Sequence, residues 1–174
     1  MSNKNIFCNT PWYELHIYWD GSLGICCQES HKLYKDTDKQ YNIATMSIAE
    51  WFNSEPVRSF RKNMLGNDRL SECATCYSDE DHNGISRRLR SNQKSVIFTR
   101  TAFDASFEQS PAYNNFLNSD KNDGFTITHP VDLHIDLGNY CNLACKMCSE
   151  KASTTIASQN VKWGIIDSKK YLGI

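Results

Sequence analysis

The sequence has no long apolar run: nothing in its 174 residues approaches the ~20 consecutive apolar residues of a membrane span. Its opening, "MSNKNIFCNTPW", lacks the apolar core of a signal peptide. Charge of neither sign is in surplus. Lys+Arg number 19 and Asp+Glu 20, a formal net charge of -1, so no electrostatic reason exists to expect a nucleic-acid or anionic-membrane partner. Internal repeats and low-complexity tracts are also missing. These absences leave a soluble cytoplasmic protein as the expectation, large enough for one domain with a real core or for one small domain plus part of another.

What the chain does have is cysteine, eight in all. With no export signal, reduced thiolates binding metal are a better use for them than disulfides. They fall into three groups: Cys8 with Cys26 and Cys27, then Cys73 with Cys76, then Cys141, Cys145 and Cys148.

The local pattern around the first group reads as a β-hairpin. Residues 12–19, "WYELHIYW", alternate and are rich in aromatic and β-branched side chains, "DGS" at 20–22 makes a tight turn, and "LGICC" returns. The hairpin carries Cys26 and Cys27 back towards Cys8, which makes a shared site reasonable. Residues 29–45 read as a polar loop. Ser47 and Glu50 form a capping box for a short helix through Trp51 and Phe52. A second helix follows, with Pro56 in its first turn, an apolar stripe of Val57, Phe60, Met64 and Leu65, and Gly66 as its stop. After "CATC" comes a stretch of helical character whose Arg87, Arg88 and Arg90 read as a solvated basic face. Residues 91–125 carry few periodic signals and read as a linker or insertion. "VDLHIDLGN" then reads as a strand with Val131, Leu133, Ile135 and Leu137 on one face. For His16, His31, His82, His129 and His134 ordinary surface or core roles are expected, with His82 the nearest to a ligand candidate.

The stretch "LGNYCNLACKMCSEK" follows that strand directly. Zinc and iron–sulfur sites usually take four protein ligands, and Cys141, Cys145 and Cys148 supply three. On a four-iron cube, three cysteines leave one iron open to an outside ligand. The C-x3-C-x2-C spacing in "CNLACKMC", on a loop after a β-strand, resembles the signature of the radical S-adenosylmethionine (radical SAM) enzymes. The resemblance implies that Cys141, Cys145 and Cys148 ligate a 4Fe-4S cluster. Its open iron would chelate S-adenosylmethionine and cleave it reductively to a 5′-deoxyadenosyl radical. Met147 departs from the aromatic residue that many members carry before the last cysteine, and still offers an apolar cover.

The other cysteines resemble the twitch and SPASM auxiliary-cluster modules of the same family, which begin C-x(9–15)-G-x4-C on a hairpin and continue with C-x2-C after a helical segment. Here Cys8, Gly21, Cys26, Cys73 and Cys76 fit that order. His82 stands where the full SPASM pattern has its next cysteine, so the one-cluster twitch version fits better. The resemblance implies an auxiliary 4Fe-4S cluster on Cys8, Cys26, Cys73 and Cys76. Tetrahedral zinc on the same thiolates is the rival. Adjacent strand residues point to opposite faces, so Cys27 is spare, or replaces Cys26 if it turns inward.

The expected fold is therefore α+β: a hairpin-plus-helices cluster-binding domain over 1–95, a linker or insertion over 96–129, and the first β/α unit of an incomplete (β/α)6 radical SAM barrel over 130–174. By this resemblance a full-length relative modifies a peptide, protein or cofactor precursor, drawing on S-adenosylmethionine and an electron donor. The glycine-rich strand that binds the amino group in the family has no counterpart, so this chain alone is expected to bind iron and sulfide without cleaving S-adenosylmethionine. The alternative is a non-catalytic iron–sulfur or zinc module. One β/α unit cannot cover its own sheet face, so residues 131–160 are expected either to pack on the first module or to be poorly ordered.

Overall fold

The computed structural model describes residues 6–29, 41–93, 111–119, 121–150 and 152–167. The parts of the expected loop at 30–40 and of the expected linker at 96–110, together with His31 and residues 168–174, lie outside them. The chain divides between Ile135 and Asp136 into two compact units.

The first unit is mixed α and β. Pro11 opens a 3-10 turn over Thr10–Trp12, so the extended run starts later than alternation alone suggests, with β1 at Glu14–Ile17. Gly21 turns the chain at φ 79, a conformation that glycine adopts without strain. The Asp20 carboxylate accepts from the Ser22 amide at 2.9 Å and so closes the turn. Strand β2, Leu23–Gly24, returns antiparallel with His16 opposite Gly24. The other neighbour of β1 is β3, Asp132–Ile135, which runs parallel to it in the register Glu14 to Asp132 through Ile17 to Ile135. The sheet order is β2–β1–β3. The strand that precedes the cysteine triplet thus packs on the first module.

Helices cover β1 and β2, which are buried throughout, whereas β3 is largely exposed. α1 (Ile48–Phe52) starts at the capping box read from the sequence: Ser47 Oγ accepts the Glu50 amide at 3.2 Å, and the Glu50 carboxylate accepts the Ser47 amide at 2.8 Å. α2 (Glu55–Leu65) buries Val57, Phe60 and Met64 on one face. They pack with Trp12, Leu15, Leu23 and Trp51 in a single apolar cluster. α3 (Ala74–Asn83) ends where Gly84 takes φ 71, and α4 (Arg87–Gln93) follows after the break. No helix among the described residues is long and apolar enough to cross a membrane.

α5 (Pro111–Ser119) and the segment after it are built into this unit. Trp12 Nε1 donates to Ser119 Oγ at 2.9 Å, and the Phe116 ring meets Trp12 edge-on at 5.4 Å. Asn115 Oδ1 accepts the amides of Ile127 and Thr128, and Asn53 Oδ1 accepts that of Thr126. Two asparagine side chains therefore fasten the approach to β3. Gly124 lies so close to α2 that a Cβ would stand 2.4 Å from the Arg58 carbonyl oxygen.

The described part of the second unit is the cysteine loop and α6 (Thr154–Lys162). Ser153 caps that helix, its hydroxyl accepting from the Ile156 amide.

Candidate metal centre

Cys73 precedes α3 and Cys76 lies within its first turn, so the C-x2-C spacing sets both thiols on one side of the helix start. Cys8 lies just ahead of the 3-10 turn, and Cys26 follows β2. These three segments converge: Cys8, Cys26, Cys73 and Cys76 line one cavity. Ile25, Phe60 and Met64 form its apolar wall. Cys27, in the turn beyond β2, lines a different, open groove beside Tyr13 and Ser86. His82 is exposed, its Nδ1 against the Ser78 carbonyl at 2.8 Å, and takes no part in the thiol cavity. His16 is buried between the rings of Tyr18 and His134, at 4.1 and 4.8 Å.

Burial dominates the chemistry of the four thiols. It pushes Cys8 up to about 11 and Cys73 up to about 12, and it raises Cys26 and Cys76 as well. Several donors work against it. The Thr10 hydroxyl lies 2.9 Å from Cys8 Sγ, and backbone amides of Thr10, Gln28 and Arg88 lower Cys8, Cys26 and Cys76 respectively. Without a metal the site is therefore a nest of neutral thiols at pH 7; a metal must displace their protons to bind.

Two arginines read from the sequence as a solvated face also line this cavity. Arg88 is 3 % exposed; it holds Glu80 through Nε at 2.9 Å and Nη2 at 2.5 Å, and gives Nη1 to the Phe7 carbonyl at 2.7 Å. Arg87 gives Nη2 to Glu14, a buried carboxylate on β1, at 2.6 Å. Helical charge spacing alone could not reveal them, because both partners lie outside α4; the only hint was Gly84, which lets α4 fold back from α3.

In the second unit the loop holds Cys141 partly buried, with Cys145 and Cys148 exposed. Its base is tied to α6: the Cys141 carbonyl accepts from Thr154 Oγ1 at 3.1 Å and Thr155 Oγ1 at 2.8 Å, and Leu143 O accepts from Ser153 Oγ at 2.8 Å. The hydroxyl residues that open the helix thus shape the loop, while the side chains of Tyr140 and Met147 are almost wholly exposed.

Compared with known families, residues 8–77 match the model of SPASM, an iron–sulfur cluster-binding domain. No curated protein and no solved structure matches the chain. The match begins at Cys8 and ends one residue after Cys76, so it spans all four cavity thiols. Over that stretch the chain has the pattern of an iron–sulfur cluster-binding domain.

Proposed function

We propose that Cys8, Cys26, Cys73 and Cys76 hold an auxiliary 4Fe-4S cluster, and that Cys141, Cys145 and Cys148 hold a second one open to S-adenosylmethionine in a radical SAM protein. The observation that carries the reading is the convergence of four cysteines, distant in sequence, on one cavity inside the span that matches a cluster-binding domain. The donor set fits: thiolates are the usual ligands of such clusters. Arg87 and Arg88 also line the cavity wall, each paired with a buried carboxylate, Glu14 and Glu80.

When bound, the auxiliary cluster would supply one-electron transfer. The chain's own part is to exclude water with Ile25, Phe60 and Met64, and to aim the amides of Thr10, Gln28 and Arg88 at the sulfurs. At the triplet, the exposure of Cys145 and Cys148 suits a site that must admit a small molecule from solution. Radical modification of a peptide, protein or cofactor precursor is the activity proposed for a protein containing this chain, with an external electron donor and a cytoplasmic setting.

Anaerobic reconstitution tests this. Wild type is expected to bind iron and sulfide in two separable populations. One should disappear on Cys73→Ala with Cys76→Ala, the other on Cys141→Ala with Cys145→Ala and Cys148→Ala. S-adenosylmethionine should perturb the electron paramagnetic resonance spectrum of the second population alone, without turnover to 5′-deoxyadenosine by this chain. Zinc without sulfide on the first four cysteines would replace the proposal with a zinc module.

A further inference from the structure

We propose that the buried Arg88–Glu80 ion pair balances the charge felt by the cluster held by Cys8, Cys26, Cys73 and Cys76, so that losing one partner or the other shifts its reduction potential in opposite directions, an inference that rests on the iron–sulfur reading of that site. Arg88 lines the thiol cavity, and its side chain is 3 % exposed against 9 % for that of Glu80. The pair also joins two of the three segments that carry ligands. Glu80 sits one turn beyond Cys76 on α3, and Arg88 reaches the Phe7 carbonyl, next to Cys8. Arg87 faces the same cavity, but its side chain is 38 % exposed, so water and salt screen it more.

Reduction adds one electron to the cluster and makes it one charge more negative. A buried cation beside it favours the reduced state, and a buried anion opposes it; away from water neither is well screened. In the native pair these effects largely cancel. Removing one partner uncovers the other, and the sign of the change depends on which partner is lost. Arg88→Gln leaves the Glu80 carboxylate, so the potential falls. Glu80→Gln leaves the guanidinium, so the potential rises. The double variant, with neither charge, returns near to wild type, and Arg88→Lys, which keeps the cation, stays close to wild type.

The test is a potentiometric titration of the full chain with dithionite and mediator dyes, read by electron paramagnetic resonance in a background with Cys141, Cys145 and Cys148 replaced by alanine. Iron and sulfide content is measured in parallel. Opposite shifts for Glu80→Gln and Arg88→Gln support the inference; a purely structural pair would lower cluster content in both and move the potential in neither. If Arg88→Gln fails to retain iron, the upward shift of Glu80→Gln and the near-native value of Arg88→Lys decide the matter. A cluster that assembles in wild type but whose potential ignores Glu80→Gln overturns this inference and leaves the iron–sulfur reading standing. Failure of that background to assemble any cluster on the four cavity cysteines overturns the reading itself, and this inference with it.

Discussion

Arg61 carries its guanidinium into the core of the first unit, fully buried, where it meets backbone and an aromatic face. Nε donates to the Pro11 carbonyl at 2.9 Å and Nη1 to the Gly124 carbonyl at 3.0 Å, with the group 4.3 Å from the centre of the Phe52 ring. Burial lowers it to about 9, which still leaves it charged at pH 7. It therefore clamps the turn before β1 to the segment before β3. Arg61→Met keeps the volume but strands two buried carbonyls, and is expected to destabilise by about 2–4 kcal/mol, seen as a lower urea midpoint with unchanged slope. Gly124→Ala should cost about 2 kcal/mol or more, because φ is 75 and the new Cβ meets the Arg58 carbonyl. Both expectations arise from tertiary partners. The spacing does place Arg61 on the buried stripe of α2, four residues after Val57 and three before Met64; the carbonyls and ring that accept a guanidinium there come from elsewhere in the chain and leave no local mark.

The elements differ in how much of them could be read. The hairpin turn, the capping box and the apolar stripe of α2 are encoded within a few residues, and each appears where the pattern puts it. The C-x2-C pair at the head of α3 is equally local. The pairing of β3 with β1 is not, because a parallel neighbour brought from far along the chain leaves no mark on either strand's own sequence. α5 shows the same limit: Asn and Ser read as linker residues, yet Asn115 and Ser119 are buried and form its fastenings. This helix also braces the thiol cavity at one remove, since Phe116 packs 5.3 Å from Phe7, the residue before Cys8. Phe116→Ala is expected to cost about 1–3 kcal/mol and to speed loss of iron to a chelator. Ser47→Ala, at the remote end of α1, should lower the midpoint slightly and leave iron retention unchanged.

For the whole molecule, the buried thiols tie stability to both pH and metal. In the metal-free protein Cys8 and Cys73 are held above the ordinary thiol value of 9.0, at about 11 and about 12. Folding favours their neutral form. That stabilisation is complete below pH 9 and is lost as the pH climbs towards those folded values. Urea midpoints of the metal-free chain are therefore expected to stay level up to about pH 9 and then fall. Thiol-alkylating reagents should react more slowly at Cys8 and Cys73 than at exposed Cys145 and Cys148 at pH 7. Loading reverses the dependence, since thiolates bind and protons leave; retention of iron should weaken as the pH is lowered.

The three-stranded sheet has a history as well as a shape. On the ribosome β1 emerges and meets β2 almost at once, and Cys76 is made well before Asp132–Ile135. All four cavity cysteines are thus made while one edge of β1 still lacks its β3 neighbour. A nascent chain arrested before Val131 leaves that ladder edge bare, a template for pairing with other chains. Synthesis of β3 is the event that closes it.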